Sequence, residues 1–278
     1  MPTECETANT ADGANDETLS QTRCAATSID PLQAIESDVK LGSVPRKYQS
    51  WYPTQTSTDF NIQGGWCTCD VTSLTNELQV PDLPQLIDRF LCEQLDRVHE
   101  DPNHTCPRFV GCVCVFNHAT ATFHTPSDPS NDEGVQQEVI WAAPSWLKGM
   151  PCYDCIFVNS NNELDGMRRM EIARAICFFS FVYLGITYPC VLVHWFSRIS
   201  EEPDEDTGMW MVTPDFDHSG NPILAVIHID CIFHAAHLIP IFGNSFIPDH
   251  ITHDNSLDNF KGFYVNQFVD HHAFDIAS

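Results

Sequence analysis

Residues 172–241 alternate short apolar runs with turn residues, a pattern typical of consecutive β-strands. Apolar, aromatic and β-branched residues dominate five runs, and each run is short enough for one strand. These runs are residues 172–183, 186–196, 209–212, 224–229 and 237–241. Leu184-Gly185 predicts a tight hairpin, and residues 217–222 predict a further turn. The pattern therefore predicts a small five-stranded barrel over residues 172–241.

Residues 83–98 show helical periodicity instead. Their apolar side chains recur at three- and four-residue spacing, and Asp82 is a candidate N-terminal cap. Further along, short apolar runs predict strands at residues 109–116, 120–124, 137–141 and 155–158. The segment before the barrel is therefore predicted to be a mixed α/β half.

The carboxyl-terminal part favours short helical structure. Ser256 is a candidate cap for a helix running through Phe260 and Phe263, and the amphipathic last residues are expected to pack their aromatic side chains on the fold. The predicted fold class is α+β, mainly β. It consists of a small five-stranded barrel packed with the mixed α/β half and a C-terminal helix.

The first 79 residues differ in composition from the rest. Residues 1–45 are polar and acidic, which predicts a disordered acidic tail. Residues 46–79 are predicted to be a linker that docks on the domain of residues 80–278 through its aromatic side chains. These aromatic residues are Tyr48, Trp51, Tyr52, Phe60 and Trp66.

The charge balance limits the partners of the protein. The 278 residues carry 38 acidic and 13 basic side chains, a net charge of −25. Binding to nucleic-acid phosphates needs clustered Lys and Arg, and the only adjacent pairs are Arg46-Lys47 and Arg168-Arg169. Direct DNA binding is therefore disfavoured. The longest apolar run is too short and too rich in β-formers for a membrane helix, so we expect no membrane association.

The 13 cysteines raise the questions of redox state and of metal binding. The amino-terminal residues MPTECETANTADGANDE show no basic start followed by an apolar core, so we expect an intracellular protein with mostly reduced thiols. Zinc-ligand spacing is incomplete, because only Cys152 and Cys155 have a two-residue gap. A zinc site formed by these two residues with Cys106 and His118 is the less favoured alternative, and no cofactor is expected.

Histidine and aspartate residues near the carboxyl end suggest a second alternative. The pair His234/His237, and His271-His272 with Asp270 and Asp275, match no recognised catalytic spacing. Asp215, Asp230 and Asp254 are candidates for the acidic triad of a metal-dependent nuclease. A cluster of carboxylates and imidazoles in a cleft would favour an enzyme, and scattered positions would favour an interaction module.

Six segments carry a resemblance to a known family. In chain order they are PDLPQLIDRFLCEQL, ATATFHTPSD, GMRRMEIARAICFFSFVYLGITYPCVLVHWF, DEDTGMWMVTPDF, VIHIDCIFHAAHLIPIFG and SLDNFKGFYVNQFVDHHAF. Together they resemble the C-terminal region of Plavaka-group, CACTA-like transposases of mushroom-forming fungi, from Val80 to Ile276. The resemblance implies a transposon-derived, nuclear protein. It concerns the region after the catalytic core, so it implies no catalytic residue. Residues 1–79 and the extra thiols depart from the family pattern.

The barrel and the resemblance together suggest a binding role. Small five-stranded barrels of the bromo-adjacent-homology-like kind bind protein tails through aromatic side chains at the barrel mouth. Candidate aromatic residues here are Trp195 and Trp210, with Tyr188, Phe196 and Phe216 also available. The candidate acidic residues are Glu201, Glu202, Asp204, Glu205 and Asp206. The competing interpretation is that the aromatic residues form the barrel core and that the acidic run is a solvated loop.

We therefore expect a non-catalytic accessory or interaction module that binds a basic protein or histone-like tail. A metal-dependent nuclease remnant and a decayed fragment without selected function are the alternatives. The sequence leaves the oligomeric state open.

Overall fold

The computed structural model describes residues 38–41, 68–96, 106–124, 135–145, 150–160, 164, 166–243, 246–252 and 255–277. Within them the strands are β1 (Asp38–Leu41), β2 (Thr68–Asp70), β3 (Cys112–Phe116), β4 (His118–His124), β5 (Val135–Ala143), β6 (Cys152–Tyr153), β7 (Cys155–Asn159), β8 (Met170–Tyr183), β9 (Ile186–Arg198), β10 (Met211–Pro214), β11 (Leu224–His228), β12 (Ile232–Ala236), β13 (Leu238–Pro240) and β14 (Phe263–Val265). The helices are α1 (Val71–Leu78), α2 (Leu83–Asp96), α3 (Ser256–Asn259) and α4 (His271–Ala277). The expectation of a mainly β protein with few helices is confirmed.

The antiparallel hairpin of β8 and β9 is the centre of the fold. Its turn consists of Leu184 and Gly185, whose φ angles of 50° and 79° lie in the left-handed region. Two consecutive residues with positive φ match the right-handed twist of the flanking strands, and glycine at the second position avoids the strain of a Cβ atom there. The hairpin predicted at this dipeptide is therefore confirmed.

The main sheet curls around this hairpin into a half-barrel. Its strand order is β12-β7-β8-β9-β10-β14-β13, with β2, β3 and β11 paired outside this path. Strands β12 and β13 lie at opposite ends of that order, yet only His237 separates them along the chain. The sheet must therefore curl until its two ends approach each other. A β-bulge in β8, where the pairing register with β9 shifts between Ala175 and Cys177, contributes bending.

Strand β12 was missed in the sequence because all five of its residues are buried. A fully buried strand shows no alternation of apolar and polar side chains, so its periodicity carries no signal. The pairing of β12 with β7 closes one end of the curled sheet.

Both faces of the central hairpin are covered over most of its length. A second sheet, of order β1-β4-β5-β6, packs on one face, where Ala173, Phe178 and Val193 meet Ala119 and Ile140. Helices α1 and α2 cover part of the opposite face. Their buried side chains there are Val71, Leu74, Leu83, Ile87, Phe90 and Leu91. The predicted helical stripe of α2 is therefore confirmed as a core-facing stripe.

The rest of the helix-side face is covered by the carboxyl-terminal elements. Trp210, Phe263 and Ile276 share a buried cluster there with Ile172 and Phe196 of the hairpin. Strand β14 inserts between β10 and β13, which places residues 263–265 within the main sheet.

The predicted boundaries of the amino-terminal segments were partly wrong. Strand β1 lies inside the predicted acidic tail of residues 1–45 and pairs with β4, which stabilises it by tertiary hydrogen bonding. Strand β2 and helix α1 lie inside the predicted linker of residues 46–79, where the Asp70 side chain caps α1 by accepting from the Ser73 N–H at 2.7 Å. The aromatic residues at positions 48–66 lie outside the described residues.

The carboxyl-terminal prediction also needs correction. Helix α3 ends at Asn259, its cap position is Asn255 rather than Ser256, and Phe263 begins strand β14. Phe268 and Phe274 are 61% and 46% exposed, so they do not pack on the fold as predicted. Helix α4 instead buries Ala273, Ile276 and Ala277, because small side chains allow its close approach. No helix in the described ranges is long and apolar enough to cross a membrane.

Candidate functional site

The acidic loop between β9 and β10 has a defined backbone conformation. The Asp204 carboxylate accepts hydrogen bonds from the Thr207 N–H at 3.0 Å and from the Thr207 hydroxyl at 2.7 Å. The Asp204 carbonyl accepts from the Gly208 N–H at 2.8 Å, and the Asp204 N–H donates to the Met209 carbonyl at 2.9 Å. Asp204, one of the five predicted carboxylates, therefore stabilises the loop through hydrogen bonds within the loop itself.

The other four carboxylates of the loop face solvent. Glu201, Glu202, Glu205 and Asp206 are all exposed. Glu202 accepts a hydrogen bond from Arg168 at 3.0 Å, but the two side chains are 74% and 56% exposed, so this ion pair contributes little stability. The loop therefore presents a cluster of negative charge on an ordered backbone.

Trp195 and Trp210 do not belong to this surface. Trp195 is 2% exposed and packs between the two sheets, whereas Trp210 is 6% exposed in the carboxyl-terminal cluster. The Arg198 guanidinium lies 5.7 Å from the Trp210 ring centre. Prediction of these two residues as binding aromatics was wrong, because both faces of the sheet are covered where they lie. The competing interpretation, an aromatic core, is confirmed for them.

Of the remaining predicted aromatic residues, only one reaches the surface. Tyr188 and Phe196 are buried, and Phe216 is 54% exposed with its ring centre 5.3 Å from that of His194. An aromatic cage at the mouth of the sheet is therefore not formed by the predicted set.

An apolar surface adjoins the acidic loop instead. Ile199, which is 50% exposed, directly precedes the loop. A Cβ atom added to Gly262 would lie 3.4 Å from the Cδ1 of Ile241 and 3.5 Å from that of Ile199, so both isoleucine side chains lie over Gly262. Phe242, which follows Ile241, packs its ring edge-on against Phe260 instead. We call Ile199, Ile241 and the four exposed carboxylates the acidic–apolar surface.

The structure does not bring the zinc candidates together. Cys106 forms a disulfide with Cys92, which removes it as a thiolate ligand. Burial raises the pKa of the Cys155 thiol to about 12, so it stays protonated at neutral pH. The Cys152 thiol donates to Asp154 at 3.7 Å, and the His118 ring packs 5.0 Å from that of Trp141. Across the described part of the chain, no three His, Cys, Asp or Glu residues form a metal-binding group.

One predicted histidine does join a cluster of ionisable groups. His234, on β12, is fully buried, and its Nδ1 lies 3.6 Å from the Oε1 of Glu138 and 2.7 Å from the Ala235 carbonyl oxygen. Its Nε2 lies 4.0 Å from the Oδ2 of Asp270. Glu138, on β5, also accepts a hydrogen bond from the Ala235 N–H at 2.7 Å. The cluster therefore links the second sheet, the edge of the main sheet and the segment before α4.

Electrostatics and access favour a structural role for this cluster. Burial raises the pKa of the Glu138 carboxyl. The charge interaction with His234 and the hydrogen bond from the Ala235 N–H lower the same pKa, but by less. Because His234 has no exposed surface, a substrate cannot reach its imidazole without local opening of the fold. Asp254 and the side chains of His271, His272 and Asp275 lie outside the described residues.

No sequence signal indicates two of these arrangements. Glu138 and Ala235 are 97 positions apart, and no spacing rule connects them. Ile199 and Ile241 both lie over Gly262 because the curled sheet brings the end of β9 and the residues after β13 to the same place. Comparison with protein-family models and with curated proteins returned no match to this chain.

Proposed function

We propose that this protein is a non-catalytic interaction module that binds a basic protein tail at the acidic–apolar surface. One observation carries the proposal: four carboxylates are exposed on a loop whose backbone conformation is stabilised by hydrogen bonds to Asp204. Such a loop loses little conformational entropy when a partner binds, so more of the electrostatic attraction appears as affinity.

The chemistry of the surface defines the partner. The four exposed carboxylates attract Lys and Arg side chains, and the net charge of −25 adds long-range attraction for a cationic tail. Ile199, which is half exposed, and the neighbouring Ile241 offer apolar area to uncharged residues between the basic ones. A basic tail with interspersed apolar residues therefore fits this surface better than a purely polar tail.

The resemblance to the C-terminal region of Plavaka-group transposases supports a transposon-derived origin and a nuclear setting, where basic tails of the histone type are abundant. We propose further that the curled sheet is related to the small five-stranded barrels of bromo-adjacent-homology-like modules. Each of the five predicted runs overlaps a strand, which supports this relation. In this protein the binding surface would lie on the acidic loop rather than in an aromatic barrel mouth.

Binding of a fluorescent peptide of alternating Lys, Arg and Leu residues tests the proposal. The triple variant Glu201→Gln, Glu205→Gln, Asp206→Asn is expected to bind at least about tenfold more weakly at 0.15 M salt, since each lost charge pair contributes roughly 0.5 kcal/mol. Fluorescence anisotropy measures both dissociation constants.

A matched control separates the loop from the overall charge. Glu77, Asp82 and Asp249 are exposed and lie outside the loop, so Glu77→Gln, Asp82→Asn, Asp249→Asn removes the same number of charges. This control is expected to weaken binding by about twofold or less. Equal loss in the two triple variants would show that only net charge matters and would refute a binding site at the loop.

A further inference from the structure

Two accessible cysteines lie on strand β3. Cys112 and Cys114 both carry thiols, since neither forms a disulfide. Cys112 is exposed and Cys114 is half-buried, whereas Val113 between them is fully buried. In the described part of the chain, the other cysteines without a disulfide are buried, apart from Cys152. Strand β3 therefore presents two closely spaced thiols at the surface.

Both thiols lie on the same side of the main sheet. Side chains of a strand alternate between its two faces, so residues 112 and 114 share one face and Val113 lies on the other. Val113 packs on the side that α1 and α2 cover, whereas Cys114 packs against the core cluster of the opposite side. Cys112 and Cys114 both line a groove of about 360 Å³, which Val113 does not line. The two sulfur atoms therefore belong to the wall of one groove.

The spacing of the two cysteines suits a shared cation better than a disulfide. Alternate residues of a strand lie about 6.8 Å apart. The Cβ atoms of a disulfide must lie about 3.8 Å apart, which this spacing does not allow. Two thiolates on one cation lie up to about 4.6 Å apart, twice a metal–sulfur bond of about 2.3 Å, and opposed χ1 rotamers tilt the two thiols toward each other. The backbone of β3 thus allows both thiolates to bind one cation.

The number and the type of ligands select the cation. Among the residues that the structure describes, no three His, Cys, Asp or Glu side chains form a metal-binding group, so these residues do not supply the four ligands of a structural Zn²⁺ site. Cu(I) is a soft cation that prefers thiolates, and two of them suffice to hold it. Arg108 lines the same groove, and its positive charge offsets the net negative charge of a Cu(I) ion with two thiolates. We propose that Cys112 and Cys114 bind one Cu(I) ion in this groove.

Binding of the cation exchanges protons for metal. Each Cu–S bond replaces one S–H bond, so one bound Cu(I) ion releases two protons and no atom changes its oxidation state. The affinity for Cu(I) therefore rises with pH. The acidic–apolar surface contains none of these residues, so this inference is independent of peptide binding there.

Competition between the full chain and a chromophoric Cu(I) chelator tests the site. Cu(I) is supplied as its acetonitrile complex under nitrogen and without a reductant, so that the Cys92–Cys106 disulfide is kept. For the most tightly bound equivalent, Cys112→Ser and Cys114→Ser are each expected to weaken binding at least about a hundredfold, since loss of even an outer-shell partner costs up to roughly that much. Cys152→Ser is the matched control, because Cys152 is half-buried and does not line the groove. This control is expected to leave the affinity unchanged.

Alkylation of the wild-type protein identifies the ligands without any substitution. One equivalent of Cu(I) is expected to slow the reaction of Cys112 and Cys114 with iodoacetamide at least about tenfold, because a metal-bound thiolate is a poor nucleophile, and to leave Cys152 unaffected. Mass spectrometry of the cysteine peptides measures each rate. Release of two protons per Cu(I) ion, followed with a pH indicator in weak buffer, counts the bound thiols.

Four results would overturn the proposal. The first is a most tightly bound Cu(I) equivalent that both serine variants keep at wild-type affinity. The second is protection of Cys112 or Cys114 without the other. The third is Zn²⁺ binding as tight as that of Cu(I), since two thiolates suit the softer cation. The fourth is one cation per two chains, which would mean that separate copies share it.

Discussion

The acidic loop and the Glu138–His234–Asp270 cluster both concentrate ionisable groups, but in opposite environments. In the loop, four carboxylates face water and a fifth, Asp204, stabilises the backbone. In the cluster, a fully buried imidazole lies between two carboxylates from distant segments. Exposed charges attract partners at little cost in stability, whereas buried charges depend on one another for compensation. The exposed charges of the loop suit the recognition role that we propose for it, whereas the contacts of the cluster link distant parts of the fold.

The largest expected effect is at the buried cluster. His234→Ala removes a fully buried side chain and leaves Glu138 without its imidazole neighbour, so the free energy of unfolding is expected to fall by about 3 kcal/mol. Urea unfolding measures this change. His250→Ala, at an exposed position, is the control and is expected to change stability by about 0.5 kcal/mol or less. If both variants unfold at the same urea concentration, the cluster has no linking role.

A smaller effect is expected inside the acidic loop. Asp204→Ala removes both hydrogen bonds to Thr207, so the protein is expected to lose about 1 kcal/mol of stability. Glu205→Ala, one position along, removes only an exposed charge and is expected to stay within about 0.5 kcal/mol of the wild type. Thermal unfolding compares the two. Similar melting temperatures would show that Asp204 does not stabilise the loop.

The smallest effect is expected at the ion pair between Arg168 and Glu202. Both side chains are more than half exposed, so Arg168→Gln should change the free energy of unfolding by about 0.5 kcal/mol or less. The same variant frees Glu202 and makes the surface more negative, so it should tighten binding of the basic peptide about twofold. Anisotropy titration measures the affinity. Weaker binding by this variant would argue against an electrostatic surface at the loop.

Sequence pattern predicted much of the secondary structure. The hairpin at Leu184-Gly185 and the stripe of α2 were predictable because local backbone preference and apolar periodicity determine them. Strand β12 was missed because a strand buried on both faces shows no alternation. The disulfide between Cys92 and Cys106 was missed because its formation depends on spatial proximity, which the 14-residue separation does not reveal.

The candidate site was also predicted only in part from the sequence. The run of carboxylates at residues 201–206 is evident in the sequence, and the structure shows four of them exposed. The aromatic partners were misassigned, because sequence alone does not show whether one or both faces of a strand are covered. Trp195 lies on β9, whose two faces are both buried along most of its length.

The sequence by itself determined where strands, turns and the negative charge lie, since these follow from neighbouring residues. Only the tertiary structure decided that Trp195 and Trp210 are core residues, that Ile199 and Ile241 adjoin the acidic loop, and that Glu138 meets His234. These contacts join residues far apart in the chain. They arise from the curling of one sheet and the packing of a second sheet on it, which no local pattern encodes.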